Sequence, residues 1–254
     1  MAETRDTARA VLATQALTRR FGGLVAVRDV SISLNRGELH AVMGPNGAGK
    51  TTLVSLLAGE IRPSSGRILL DGADISTVPS FKRTRLGIGR SFQRTNIFPT
   101  LSALENVRLS AQAVAPGGNW LKPASRVTGL IDIAHAALAR VGLETVAHRI
   151  AGALSHGEQR QLEIAMTLAC APKVLLLDEP LAGMGPEESQ RLAELLKGLA
   201  REHAILLIEH DMDFVFAVAD WMTVMAEGQV LAEGVPASIR GNAAVQDAYL
   251  GGHA

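Results

Sequence analysis

The 254-residue chain has a single cysteine, Cys170. One thiol excludes an intrachain disulfide, which suits a reducing compartment. Its neighbours Leu168, Ala169 and Ala171 mark it as a packed core thiol rather than a nucleophile. An excess of either charge is also missing, since 25 lysines and arginines face 25 aspartates and glutamates. That balance gives no support for non-specific nucleic-acid binding or adhesion to an anionic membrane, and no nucleic-acid partner is expected. No segment reaches the roughly 18 unbroken apolar residues of a membrane span. The nearest, IAMTLACAPKVLLL, is broken by Pro172 and Lys173. The opening MAETRDTARAVLATQ carries Glu3 and Asp6 and lacks the apolar run of a signal peptide. A role at a membrane therefore needs another chain to hold this one there.

What is present is ample apolar content, 47% of residues, enough to bury a sizeable core. Val11 to Leu34 alternates and is rich in β-branched residues, broken by Gly22-Gly23, and predicts short antiparallel strands. ELHAVMG predicts a buried strand, followed by a glycine-rich turn and the helix TTLVSLLAGE; RILLDG predicts another strand. From about residue 94 to 155 the periodicity turns helical, with Leu101, Leu104 and Val107 and then LIDIAHAALARVG, and no strand intervenes. VLLLDE, a helix from Pro186, AILLIEH and a hairpin turning on Glu227-Gly228 complete a strand–helix alternation that argues for a parallel sheet covered on both faces. The predicted fold is α/β, with a mainly parallel sheet, an N-terminal antiparallel β subdomain and an inserted α-helical subdomain; GPNGAGKT, between the ELHAVMG strand and the helix after it, makes the core that of a P-loop NTPase.

GPNGAGKT, residues 44–51, fits the phosphate-loop pattern and lies between a strand and a helix, the context that pattern requires. Gly44, Pro45, Asn46, Gly47, Ala48 and Gly49 would let backbone N–H groups close around phosphate oxygens, with a helix aimed at them by its positive end. Lys50 supplies a point charge, Thr51 a hydroxyl for magnesium, and Thr52 completes the nucleotide-binding run. Asp178 ends an apolar strand on the same sheet edge, where it can hold magnesium through water; Glu179 then becomes the candidate for polarising the attacking water. A pair of carboxylates capping the next helix competes weakly, because Pro180 delays that helix. His210 closes AILLIEH at a third strand end and is assigned to the γ-phosphate and the water.

LSHGEQRQLEIAM, residues 154–166, opens with a capping box, Ser155 and Glu158, before an apolar stripe. Yet Gly157 sits in the first turn, where glycine costs roughly 1 kcal/mol against alanine. Here the chain resembles the ATP-binding subunits of ABC transporters over nearly its whole length. The family's signature, usually Leu-Ser-Gly-Gly-Gln, stands here as Leu154-Ser155-His156-Gly157-Glu158. The resemblance implies a head-to-tail dimer in which Ser155, His156, Gly157 and Glu158 of one subunit face ATP held by the other. A side chain at Gly157 would then obstruct the phosphate's approach to the backbone. It also implies that Gln93 senses magnesium beside Thr51 and Asp178 and takes part in catalysis with Lys50, Glu179 and His210, and that Phe21 stacks on adenine. His156 departs from the family's glycine, Glu158 from its glutamine, and Gly185, in the loop 181–185, from its usual aspartate.

FGGLVAV, LSHGEQ, the AGM loop, IEHDMDFV and AYLGG together resemble importer ATPases for branched-chain amino acids, with urea and amide importers as near relatives. The resemblance implies one ABC ATPase domain over 9–254: a core of 9–93 and 160–235, a helical subdomain of about 94–159 and a tail of 236–254. It implies ATP and Mg2+, transmembrane permease subunits, a second ATP-binding subunit (identical or paralogous) and, indirectly, a periplasmic solute-binding protein. The implied location is peripheral, on the cytoplasmic side of the inner or plasma membrane, held by the permease. RTNIFPTLSALENV is expected to line the groove that receives a short permease helix, or else to be the buried start of the helical subdomain. The alternative function is a non-transport ABC ATPase acting as a switch in translation or DNA repair. Such proteins commonly carry two cores or a long coiled-coil insertion, which this chain does not have.

Overall fold

The computed structural model describes residues 10–91, 96–115 and 128–250. β1 (Ala10–Phe21) and β2 (Leu24–Val30) form a hairpin, and β3 (Ser33–Asn35) leads to β4 (Glu38–Met43), which feeds α1 (Lys50–Ala58). β5 (Ser65–Leu70), β6 (Ala73–Asp74), α2 (Ser80–Leu86) and β7 (Ile88–Arg90) follow. α3 (Ala103–Val114), α4 (Thr128–Arg140) and α5 (His156–Leu168) come next, then β8 (Val174–Asp178), α6 (Pro186–Ala200), β9 (Ala204–Ile208) and α7 (Met212–Val218). β10 (Trp221–Ala226), β11 (Gln229–Gly234), α8 (Pro236–Arg240) and α9 (Ala243–Leu250) close the described chain.

Two sheets result. The smaller is antiparallel, in the order β2-β1-β5-β6 with β3 on β1; the larger runs β11-β10-β4-β9-β8-β7, parallel throughout except for the edge strand β11. β8 and β9 are buried at every residue, as strands covered on both faces must be. Alternate residues face opposite layers. Leu176 and Leu206 join Leu53 and Leu57 of α1 on one side, while Leu177 and Leu207 join Leu162 of α5 and Leu196 of α6 on the other. Val107 of α3 and Leu138 of α4 belong to this second layer, so the helical insertion shares a core with the sheet.

Several elements differ from the sequence expectation. The N-terminal strands are not all short: β1 runs twelve residues, and Ala16 at φ 46° accompanies the register shifts that let one strand pair with β2, β3 and β5. The stretch 236–250, expected as a tail, holds α8 and α9, with Ile239 and Val245 buried against β10. Cys170 is half-buried and not a core residue. α2 and β7 were not anticipated from the sequence. α2 carries Arg83, 1% exposed, whose guanidinium donates to the carbonyls of Leu56, Leu57, Ile75, Ser76 and Val78. It thereby ties the carboxyl end of α1 to the loop before α2, and burial pushes its pKa down to about 10. Among the described residues, no helix is long and apolar enough to cross a membrane.

Candidate ATP site

β4 delivers the chain to the phosphate loop at the carboxyl end of the parallel sheet. Gly49 caps α1 at φ 96°, and a Cβ there would run into the Ala26 carbonyl of β2, so the loop needs glycine at this point. The loop is wedged between two other elements. Gly228 N–H of the β10–β11 turn donates to Ala48 O at 3.2 Å, and Arg28 N–H of β2 donates to Gly228 O at 2.8 Å. Lys50 folds its Nζ back over the loop, donating to Gly44 O at 2.6 Å and Pro45 O at 2.9 Å. Burial lowers the Lys50 pKa, and the charges of Glu179 and Asp178 oppose that shift. A cleft of about 780 Å³ opens here, lined by Leu24, Asn46, Lys50, Thr51, Thr52 and Glu179 among others. Loop, lysine, hydroxyls and acid therefore converge on one space.

Asp178 and Glu179 leave the end of β8 in different environments. Asp178 is 2% exposed, and burial pushes its carboxyl above the ordinary range, opposed mainly by Arg90 at 3.4 Å. Arg90, the last residue of β7, also bonds Glu60 at 2.6 Å and Ser55 at 3.2 Å, so it joins α1 to β8. Glu179 is half-buried at φ 49°, an uncommon conformation for a non-glycine residue that recurs at functional sites. Its N–H donates to Ile208 O of β9 at 2.9 Å.

His210 follows β9 with its side chain 73% exposed, and its Nδ1 lies 3.6 Å from Glu209 Oε2. Glu209 is 1% exposed; its carboxylate accepts from Leu181 N–H at 2.7 Å and His210 N–H at 3.2 Å. Burial raises its pKa against the pull of those two N–H groups.

Asp178 and His210 do not themselves line the cleft, and two further groups of sequence-predicted residues stand apart from it. Phe21, 44% exposed, ends β1 opposite Leu24 and has the Arg19 guanidinium 4.4 Å from its ring centre; it is not part of the cleft lining. Ser155 to Glu158 do not line the cleft either. Ser155, Gly157 and Glu158 border a separate hollow of about 220 Å³ with Met184, Glu188 and Leu192. Ser155 caps α5 by accepting Glu158 N–H at 3.2 Å, while Glu158 Oε2 accepts Ser155 N–H at 2.7 Å. His156 is exposed and Gly157 buried. A Cβ on Gly157 would press into the Glu188 carboxyl of α6, 2.7 Å from its Cδ. The glycine thus has a reason inside its own chain that the sequence did not reveal. Gln93 lies outside the described residues, as does Arg94.

Sequence reasoning passed over Arg90, Glu209 and Glu163. Arg90 and Glu209 carried the same faint signal, a charged residue closing a short apolar strand. Glu163 of α5 is 4% exposed and accepts Asn96 N–H at 2.6 Å and Arg160 at 2.8 Å, fixing the segment that follows residue 95 to the helix opened by Ser155. It borders a groove of about 310 Å³ with Phe81, Arg90, Asn96, Met166 and Cys170. Burial pushes the Cys170 thiol up to about 11, so it is no nucleophile.

A strand–phosphate loop–helix unit, with two carboxylates and a histidine closing the next two parallel strands, defines an ATP-hydrolysing cassette. The chain belongs to the ABC transporter ATP-binding family: the family model described as ABC transporter matches residues 27–182, and one described as branched-chain amino acid ATP-binding cassette transporter matches 229–254. It is similar to the high-affinity branched-chain amino acid transport ATP-binding protein BraF of Pseudomonas aeruginosa, 41% identical over 96% of this chain and 98% of that protein. The corresponding LivG protein of Escherichia coli is 39% identical over 95% of this chain and 98% of its own. Among solved structures, the ADP conformation of MJ1267, an ATP-binding cassette of an ABC transporter, superposes with a TM-score of 0.84 at 29% identity, covering 95% of this chain and 99% of that one. A nucleotide-free ATP-binding cassette from an ABC transporter gives 0.84 at 28% identity, over 94% and 98%.

Proposed function

We propose that this ATPase drives an importer of branched-chain amino acids, working as a head-to-tail pair with an identical or paralogous subunit. The observation that carries the reading is near-full-length similarity to BraF and LivG, including a separate family match over 229–254. The pairing rests on geometry within one chain: Ser155 and the amino end of α5 border a different hollow from the one around Lys50. A second copy would supply the missing face. The helical insertion of about 94–159 would move with α5, the core of 9–93 and 160–235 would hold nucleotide, and 236–254 would form a C-terminal appendage.

In this mechanism Lys50 and the backbone of Gly44 to Gly49 bind the phosphates, with Thr52 beside them, and Phe21 offers one ring face to adenine. Glu179 accepts a proton from the attacking water, and His210 holds the γ-phosphate end of the reaction. Thr51, Gln93 and Asp178 would hold magnesium. Their hydroxyl, amide and carboxylate oxygens are the hard donors this ion selects, and a nearby cation would offset the cost of burying Asp178. Magnesium would neutralise charge on the phosphate oxygens. Ser155, His156, Gly157 and Glu158 close on the partner's nucleotide.

Closure is passed to permease subunits through the groove bordered by Phe81, Asn96 and Glu163; Phe98 follows Asn96 by two residues, while Ile97 packs against the core shared with the helical insertion. Phe81 and Phe98 are 61% and 52% exposed, which is unusual for aromatic rings and fits a docking surface. The subunit would sit on the cytoplasmic face of the membrane, served indirectly by a periplasmic binding protein. Purification in mild detergent from the native membrane tests this reading. Multi-span partners should accompany the chain, and proteoliposomes of that complex should take up labelled leucine, isoleucine or valine with ATP. Ribosomal or DNA-repair partners without multi-span chains would favour a macromolecular switch.

A further inference from the structure

β8 and β9 are adjacent parallel strands in register, Asp178 beside Ile208, and each runs directly into a loop bearing one proposed catalytic group. Strand pairing reaches one step further, where Glu179 N–H donates to Ile208 O, and then stops. Beyond that point the two loops need another connection if Glu179 and His210 are to keep a fixed separation. Glu209 provides it. Its Oε1 takes the Leu181 N–H from the loop after β8, and its Oε2 takes the His210 N–H from the loop after β9. The same Oε2 lies 3.6 Å from His210 Nδ1, so the carboxylate also faces the imidazole ring. The loop it grips is itself tightly turned, with Ala182 N–H donating to Glu179 O at 3.2 Å.

We infer that Glu209 is a positioning residue for ATP hydrolysis, clamping the Glu179 loop to the His210 loop through its two carboxylate oxygens. The inference rests on the reading of Glu179 and His210 given above. A carboxylate is the side chain that suits the task, because both its oxygens accept and both partners donate. A carboxyl group buried to this degree is costly to keep unless its hydrogen bonds matter, and no contact with nucleotide is needed to account for it. The neighbouring Glu179 charge adds to that cost.

Glu209→Gln is the informative variant, since it keeps shape and length. Its one carbonyl oxygen can serve Leu181 N–H or His210 N–H, while its NH2 must face the other donor. ATP turnover of the full chain is to be measured at concentrations where the rate per chain no longer rises, alongside thermal unfolding. The expected result is kcat lowered about 10²-fold, the cost of a misplacement near 1 Å, with the KM for ATP within about twofold and an unfolding midpoint close to the parent's. An unchanged fold with a kcat-only loss separates positioning from general destabilisation. Combined with His210→Ala, the Gln variant should lose little more, because one of the groups it holds is gone.

A parent-like kcat in Glu209→Gln overturns the inference, as does full additivity with a damaging His210→Ala. If instead His210→Ala hydrolyses ATP at the parent rate while Glu209→Gln is slow, the role given to His210 fails and the clamp acts through the Glu179 loop.

Discussion

Gly157→Ala separates two explanations for a glycine in the first turn of α5. Within one chain, the added methyl would meet the Glu188 carboxyl, whose Oε2 also accepts Gly185 N–H at 3.1 Å to cap α6. Glu188 is flexible enough to swing aside, so the clash converts into loss of that cap, about 0.5–2 kcal/mol. Alanine returns up to about 1 kcal/mol in helix propensity. The two nearly cancel, and the unfolding midpoint should move by no more than about 4 °C, the shift that 1 kcal/mol produces in a chain of this size. ATP turnover should nevertheless fall by about 10²–10³-fold, the loss expected when backbone donors can no longer approach a phosphate oxygen. The deciding comparison is Gly157→Ala with Glu188→Ala, which removes the obstacle inside the chain and leaves the methyl facing the partner. ATP hydrolysis above the concentration at which rate per chain plateaus is the assay. Parent-level turnover in the double variant would refute the phosphate-approach argument and assign Gly157 to packing against α6.

Glu179→Gln should keep ATP binding, cut turnover by about 10²–10⁴-fold and accumulate an ATP-loaded dimer detectable by light scattering; hydrolysis at the parent rate would remove Glu179 from the role of base. Lys50→Ala should weaken ATP binding itself, read by titration with labelled nucleotide, because the loop loses the ammonium charge held over it at Gly44 and Pro45. Arg83→Met should destabilise the fold, by about 1–3 kcal/mol for each buried acceptor left unpaired, measured by urea unfolding; it strands carbonyls at the end of α1. For Glu163 the sign follows from a carboxyl raised chiefly by burial. The parent benefits from protonating it as pH falls through the folded value, so Glu163→Gln should gain stability relative to the parent as pH rises through that value. Paired unfolding midpoints at pH 5 and pH 8 check the direction, and a gain toward acid would contradict it.

Much of the nucleotide cleft was legible because it is local. GPNGAGKT needs only the end of β4, one turn and the start of α1 to present its amides and lysine, and all of those adjoin in sequence. VLLLDE and AILLIEH read as buried strands for the same reason: short unbroken apolar runs, too brief for helices, fit strands covered on both sides. Glu227-Gly228 turned the last hairpin where its left-handed pair of residues required. Less legible were the long bulged β1, whose length depends on three partners, and α8 and α9, whose burial depends on β10.

Residue type and spacing alone therefore determined that this chain binds a nucleotide and which strand closes on two carboxylates and which on a histidine. Tertiary structure decided the strand order, and with it which distant side chains meet: Arg90 with Asp178, Glu209 with Leu181, Gly157 with Glu188, and the signature helix with a hollow apart from its own phosphate loop. The physical reason is range. Periodicity and turn chemistry act over a few neighbouring residues, whereas sheet order is set by burying every apolar face at once, and no short window of sequence contains that sum.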